Sequence, residues 1–272
     1  TSNVDLIARC LNIASSIIAD HGENWEEEVL PTMRKGFSQL TVGDGDGAGQ
    51  LSVQDSIIVA SLASIVGKDA ARIQHLFNHC GIFAEDQRIP WKVFAVLYAA
   101  SPVSSEETGP TLINVKRWLS TLVKRSLLME LIRGSMQLHD IVRDYCLTKV
   151  SGKAFATLQR QFVQQFLQSQ SLWEQLPQAG GSSIPKGKEL DWFAAGSGLQ
   201  WHMAAALTTP LDEVSIGWLV HPSDVILTAA VKVIAKDKSG LAEVRDIAKQ
   251  KCNEKEYRQA ARILLRTAND TF

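Results

Sequence analysis

The chain has few residues that could do chemistry, and His139 and Asp140 are the most informative of them. They follow a short alternating stretch and stand just before Ile141-Val142, where a helix is predicted to begin. Asp140 has the residue type of an N-cap, and its charge suits the positive end of a helix. Backbone N–H groups at such an end favour a bound anion. From the residue types alone, a local structural hydrogen bond of His139 is the favoured interpretation, with an anion-sensing position as the alternative.

The glycine-rich segment GDGDGAGQLS and the residues after it form a second candidate site. Asp44, Asp46, Ser52 and Asp55 stand at ligand positions of a calcium-binding loop. Ala48 occupies another ligand position without a side-chain oxygen, and Asp55 is shorter than the glutamate that usually closes the loop. We therefore interpret the segment as a flexible linker and keep calcium as the minor alternative. No other metal site is predicted.

Enzymatic machinery is missing from the sequence. It contains no G-x-x-x-x-G-K-[ST] phosphate loop, no Ser/His/Asp arrangement and no pair of catalytic carboxylates. The chain is therefore predicted not to be an enzyme on its own. No apolar run approaches the roughly 18 residues of a membrane span, and the start does not resemble a signal peptide. The cysteines are far apart in helical patterns, which predicts reduced thiols in a cytoplasmic protein: Cys10, Cys80, Cys146 and Cys252.

The elements that must position His139 lie in residues 115–149. A two-faced helix is predicted first, with Trp118, Leu119, Leu122 and Val123 on its apolar arc. Its other arc and the following turn carry the predicted basic surface, which consists of Lys116, Arg117, Lys124, Arg125 and Arg133. Gly134 can adopt the positive φ of a tight hairpin between two short strands. Helix, hairpin and helix in this order indicate the second half of a winged-helix domain.

Length and charge complete the organisation. With 272 residues and 45% hydrophobic content, the chain can bury more than one core. We predict a mainly α protein with a small β-hairpin wing, divided into residues 1–40 (end of a helical domain), 41–52 (linker), 53–150 (winged helix) and 151–272 (a C-terminal helical array). Acidic residues outnumber basic ones in residues 1–60, and basic residues outnumber acidic ones in residues 115–160. These two segments are expected to attract each other or an outside partner.

Four features resemble, in order, the winged-helix domain of the NB-ARC signalling ATPases of the STAND class, which include plant disease-resistance receptors and apoptotic protease-activating factors. They are the acidic loop from Phe83 to Asp86, the helix after Ile89-Pro90, the end of the helix at LVKRSLL, and the His139–Asp140 pair. The similarity covers about residues 53–150. LQWHMAAALTTPLDEVSIGWL is also similar to the helical segment that follows in apoptotic-type members. The family's usual methionine before the His-Asp pair is replaced by Leu138, a swap that conserves volume.

The resemblance implies a function for the chain. It would be the regulatory portion downstream of a nucleotide-binding domain, expected to be part of a longer protein that binds ADP or ATP. His139 would reach the β-phosphate of ADP and help to hold the inactive state. The implied partners are that nucleotide-binding domain, downstream sensor repeats and other copies on activation, in apoptosis-like or immune signalling. No cofactor is expected in this chain alone.

Two other functions compete with this interpretation. A DNA-binding winged helix would use the basic surface to contact phosphates, but the helix has few base-reading side chains and the net charge is −1. Nucleic acid is therefore not the expected partner. The second alternative is a helical protein–protein interaction scaffold without any nucleotide.

Overall fold

The computed structural model describes residues 3–22, 25–28, 30–31, 52–104, 112–131, 134–150, 152–169, 190, 193–194, 196–207, 211–236, 238–254 and 256–270. These residues are mainly helical and include a small three-stranded sheet, which confirms the predicted fold class. They form two compact units. The first comprises Thr1–Gly81, Glu85–Trp91 and Pro102–Ser151, and the second Ile82–Ala84, Lys92–Ser101 and Gly152–Phe272. Part of the span predicted as one winged-helix domain thus groups with the C-terminal unit.

Within the described residues, the first unit contains both helices and the whole sheet. Its elements are α1 (Asn3–His21), α2 (Trp25–Glu28), α3 (Val53–Ala63), α4 (Ala70–His79) and β1 (Ile89–Pro90). A 3-10 turn at Cys80–Ile82 follows α4, and β1 leads directly into α5 (Trp91–Ala100), of which only Trp91 belongs to this unit. The later elements are α6 (Leu112–Lys124), β2 (Met129–Leu131), β3 (Ser135–Gln137) and α7 (Asp140–Lys149).

The sheet is antiparallel and has the order β1-β3-β2. The predicted hairpin is confirmed, with Glu130 opposite Met136, and Gly134 has the expected positive φ of 73°. The third strand was not predicted. It pairs Ile89 with Met136 and places β1 on the other side of β3. Along the chain, a helix, a strand, two helices and the hairpin follow one another in the order expected for the predicted winged helix, but the helix after β1 belongs almost wholly to the second unit.

The apolar faces of the first unit follow helical spacing. On α1, Ile13 and Ile17 are buried one turn apart, and α1 packs against α3. On α6, the predicted apolar arc is buried at Trp118, Leu119 and Leu122. These faces form the core on which the sheet and α7 rest.

The second unit is an array of packed helices. With residues 92–100 of α5 it contains α8 (Lys153–Gln168), α9 (Ser197–Ala206), α10 (Glu213–Leu219), α11 (Asp224–Ile234), α12 (Lys238–Asn253) and α13 (Tyr257–Asp270). Helix α9 packs on α8 and α11, and α13 packs on α11 and α12. The turn between α10 and α11 is held by Arg262, which donates hydrogen bonds to Asp224 and to the carbonyl of Pro222.

Candidate functional site

The junction between β3 and α7 places His139 at the edge of the first unit. Leu138 is buried, as predicted for the swapped position, whereas His139 is half-buried. His139 has extended backbone angles, φ −81° and ψ 148°, and its carbonyl accepts the first helical hydrogen bond, from Arg143 N at 2.9 Å. His139 is therefore the N-cap, and the expectation that Asp140 has this position is wrong. Asp140 is instead the first helical residue, where its charge still suits the helix dipole.

An open cleft of about 410 Å³ lies beside this junction. It is lined by Ala8, Arg9 and Asn12 of α1, Asp86 of the loop before β1, Met129 of β2, and His139 and Asp140. Arg9, Asn12 and His139 can donate hydrogen bonds, and the first turn of α7 adds the partial positive charge of its N-terminus. Two carboxylates also face the cleft and oppose a free anion. The cleft can therefore hold a phosphate-like group, with modest affinity unless a partner supplies further positive charge.

Asp86 enters the cleft because its loop is tied to the sheet. Gln137 on β3 donates a hydrogen bond from Nε2 to Asp86 Oδ1 at 2.8 Å. Asp86 has a positive φ of 54°, which aspartate tolerates better than most residues. The bond between β3 and the loop thus fixes the position of the Asp86 carboxylate in the cleft.

The turn that follows α4 packs closely against the second half of α7. A side chain at Gly81 would meet Leu147 N at 2.9 Å, so only glycine fits there without movement. The thiols of Cys80 and Cys146 are buried and donate to the carbonyls of Leu76 and Phe77. Burial raises the pKa of both thiols, so they remain protonated and serve packing.

Only some residues of the predicted basic surface are exposed to solvent. Lys116, Arg117 and Lys124 are exposed on α6, and Arg117 forms an ion pair with Asp69. A hydrogen bond from the Trp118 indole and the Arg117 pair lower the pKa of Asp69 against the opposing effect of burial. Arg133 lies outside the described residues.

Arg125 does not belong to the basic surface, and its assignment there is wrong. Its side chain is buried, with the residue only 8% exposed. It forms an ion pair with Asp20 at 3.0 Å and donates to the carbonyl of Ser64 at 3.3 Å. Since Arg117 and Arg125 are both held in ion pairs, fewer cations remain to contact the phosphates of a duplex.

Two of the calcium candidates have a structural role. Ser52 and Asp55 form a capping box at the start of α3, with Asp55 N donating to Ser52 Oγ and Ser52 N to the Asp55 carboxylate. Asp44 and Asp46 lie outside the described residues. In the part of the chain that the structure describes, no group of His, Cys, Asp or Glu is arranged to hold a metal ion.

Sequence reasoning missed the contribution of α1 to the cleft. The signal for Arg9 was present, because Arg9 lies one turn before Ile13 and two before Ile17, in line with the buried stripe. Burial lowers the pKa of Arg9 without removing its charge at neutral pH. No pattern linked Asp86 to this helix, because the two segments are far apart in sequence.

The described helices include none that is both long and apolar enough to cross a membrane. No protein-family model matches the sequence, and comparison with curated proteins also gives no match. The functional argument therefore depends on the geometry around His139 together with the resemblance of the sequence motifs.

Proposed function

We propose that this chain is the regulatory winged-helix and helical portion of a STAND-class signalling ATPase, in which His139 helps to retain bound ADP and so maintains the inactive state. The observation that carries the proposal is the position of His139. It is half-buried, caps α7 and lines a cleft large enough for a phosphate group.

The chemistry of the cleft supports a sensing role. Its donors, Arg9, Asn12 and His139, can hydrogen-bond phosphate oxygens. Asp86 and Asp140 weaken the attraction for a free anion, so tight binding would require the cations of a nucleotide-binding domain. ADP retention would then depend on whether this unit is docked on the nucleotide-binding domain. Docking and undocking would therefore switch the protein between its inactive and active states.

The cellular setting belongs to the same proposal. Cys80 and Cys146 are free and fully buried, which supports a reducing compartment and hence the cytoplasm. The nucleotide, ADP or ATP, belongs to the neighbouring domain, and this chain performs no hydrolysis itself. Its partners are that domain, sensor repeats and other copies of the activated protein.

The test is release of labelled ADP from a polypeptide that joins this chain to its nucleotide-binding domain. We expect His139→Ala to accelerate release by roughly 5- to 150-fold, the usual range of a coupling free energy of 1–3 kcal/mol. His75→Ala is the matched control, because His75 is also half-buried but does not line the cleft. Unchanged release in His139→Ala would exclude the lock.

A further inference from the structure

A groove of about 360 Å³ runs along α12 beside α13 in the second unit. It is lined by Arg245, Ala248, Lys249, Cys252 and Asn253 of α12 and by Leu264 of α13. The five α12 residues recur at helical spacing, so they form one continuous face about 12 Å long. The groove is therefore a surface of one helix bordered by its neighbour, and it does not involve the cleft at His139.

The floor of the groove is apolar. Ala248 is buried, while Leu264 is 46% exposed and the adjacent Leu265 is 65% exposed. Ala260, one turn before Leu264, and Ile263 beside it are buried, so Leu264 borders the packed face of α13. Covering the exposed leucines would remove apolar area from water, at about 25 cal/mol per Å².

The rim of the groove is cationic. Arg245 and Lys249 are exposed and one turn apart, and within the described residues no acidic side chain lines the groove. Lys249 contacts Asp246 at 3.0 Å, but both side chains are more than 70% exposed, so this pair contributes little. A partner that covers the leucines must therefore bring negative charge to the same edge.

We propose that this groove is a docking site for an acidic amphipathic helix of a partner protein. One or two apolar side chains would fill the space between Ala248 and Leu264, and carboxylates on the same helix would pair with Arg245 and Lys249. The volume is at the lower end of the range for binding pockets, which fits a pair of aliphatic anchors or one aromatic ring. Apolar anchors one turn apart, flanked by charges, are how a helix binds in a groove.

The probe for this proposal is a fluorescent synthetic helix of about 18 residues, long enough to hold helical structure, with leucine at helical spacing and glutamate elsewhere. Two matched peptides replace the glutamates by lysine or the leucines by alanine. With the whole chain, we expect the leucine–glutamate peptide to bind at least about ten-fold more tightly than either control peptide, as measured by fluorescence anisotropy. Equal binding of the lysine peptide, or no binding of the leucine–glutamate peptide, overturns the proposal.

Substitutions locate the contact. Arg245→Glu with Lys249→Glu should weaken binding about ten-fold or more, and Leu264→Ser should also weaken it. The matched control, Lys153→Glu with Lys236→Glu, changes the net charge equally at exposed positions outside the groove and should alter binding less than about two-fold. Equal losses in the two charge-reversed proteins mean non-specific attraction and overturn the proposal.

Cys252 provides an independent measurement. Its thiol is half-exposed in the groove, so bound peptide should slow its reaction with a maleimide in a Cys10→Ser background. An unchanged rate places the peptide elsewhere. If the chain alone forms dimers that Arg245→Glu with Lys249→Glu dissociates, a second copy covers the groove and the acidic partner is excluded.

Discussion

At the scale of single residues, two histidines show how environment decides the role of an imidazole. His139 is half-buried beside a cleft, whereas His202 is fully buried between Phe83 and Phe162, with the Phe162 ring centroid 4.3 Å away. Gln159 donates from Nε2 to the carbonyl of Ile82, so its Oε1 accepts the hydrogen of His202 Nδ1. This bond fixes the tautomer and leaves His202 with a packing role. Sequence alone could not separate the two, because burial depends on contacts between distant segments.

We predict that His202 makes the stability of the protein fall in acid. Burial lowers its pKa to about 3, against about 6.5 for an unfolded chain, so the unfolded state binds the extra proton between these values. The stabilising effect of the neutral ring is complete above about pH 6.5 and is lost progressively as the pH falls towards 3. In that window, the free energy of unfolding falls by up to about 1.4 kcal/mol for each pH unit of acidification.

Urea unfolding of the wild type and of His202→Asn at several pH values between 4 and 7.5 measures this slope. Burial also lowers the pKa of His79, to about 4, and that of His221, so the wild type has a background slope. The His202→Asn variant keeps the pH dependence due to His79 and His221 and loses only the contribution of His202 to the slope. Identical slopes in the two proteins would contradict the prediction, whatever the loss of stability in the variant.

At the scale of elements, α6 shows what periodicity can and cannot predict. The helical projection correctly placed Trp118 and Leu119 inside and Lys116 and Lys124 outside. The assignment of Arg125 to the basic arc was wrong because Arg125 lies seven residues after Trp118, and a rotation of about 100° per residue brings it back to the buried arc. Arg125 N still donates the helical hydrogen bond to Thr121 O, at 3.1 Å, so this rotation applies to it. The ion-pair partner, Asp20, is more than a hundred residues away in sequence, although the excess of acids near the N-terminus indicated such an attraction.

Arg125 is predicted to matter for stability because it ties α6 to α1 and to the end of α3. Replacing it by alanine removes a buried guanidinium and its alkyl packing, so we expect Arg125→Ala to lower the free energy of unfolding by about 2–4 kcal/mol. Asp20→Ala should cost only about 1 kcal/mol, since its carboxylate is 47% exposed and water screens the pair. Chemical denaturation measures both values.

Lys124→Ala is the matched control for this prediction, as Lys124 is the neighbouring exposed cation of α6. It should change the free energy of unfolding by less than about 0.5 kcal/mol. An equally small effect of Arg125→Ala would contradict the prediction. It would show that the buried ion pair contributes nothing to the free energy of unfolding.

At the scale of the whole molecule, one division between the two units falls between Ser151 and Gly152. The pattern of helices and loops predicted a boundary after residue 150, and the hairpin, α7 and the C-terminal helices were foreseen. The second unit nevertheless includes residues 82–84 and 92–101. Phe83 packs on Phe94 and Phe162, and the carbonyl of Ile82 accepts hydrogen bonds from Gln159 and Trp201. Local periodicity could not predict these contacts because they join segments far apart in sequence.

The C-terminal helices are therefore predicted not to fold stably when cut at residue 151. A fragment of residues 152–272 lacks Phe83 and Phe94, both fully buried, and the loss of each phenylalanine from a core costs about 3–5 kcal/mol. The sum is comparable to the whole stability of a typical domain, about 5–15 kcal/mol. The whole chain of residues 1–272 retains both segments and is the matched control. We expect the control to unfold cooperatively on heating and the shorter fragment to bind a hydrophobic dye without a sharp transition; equal cooperativity in both would contradict this organisation of the core.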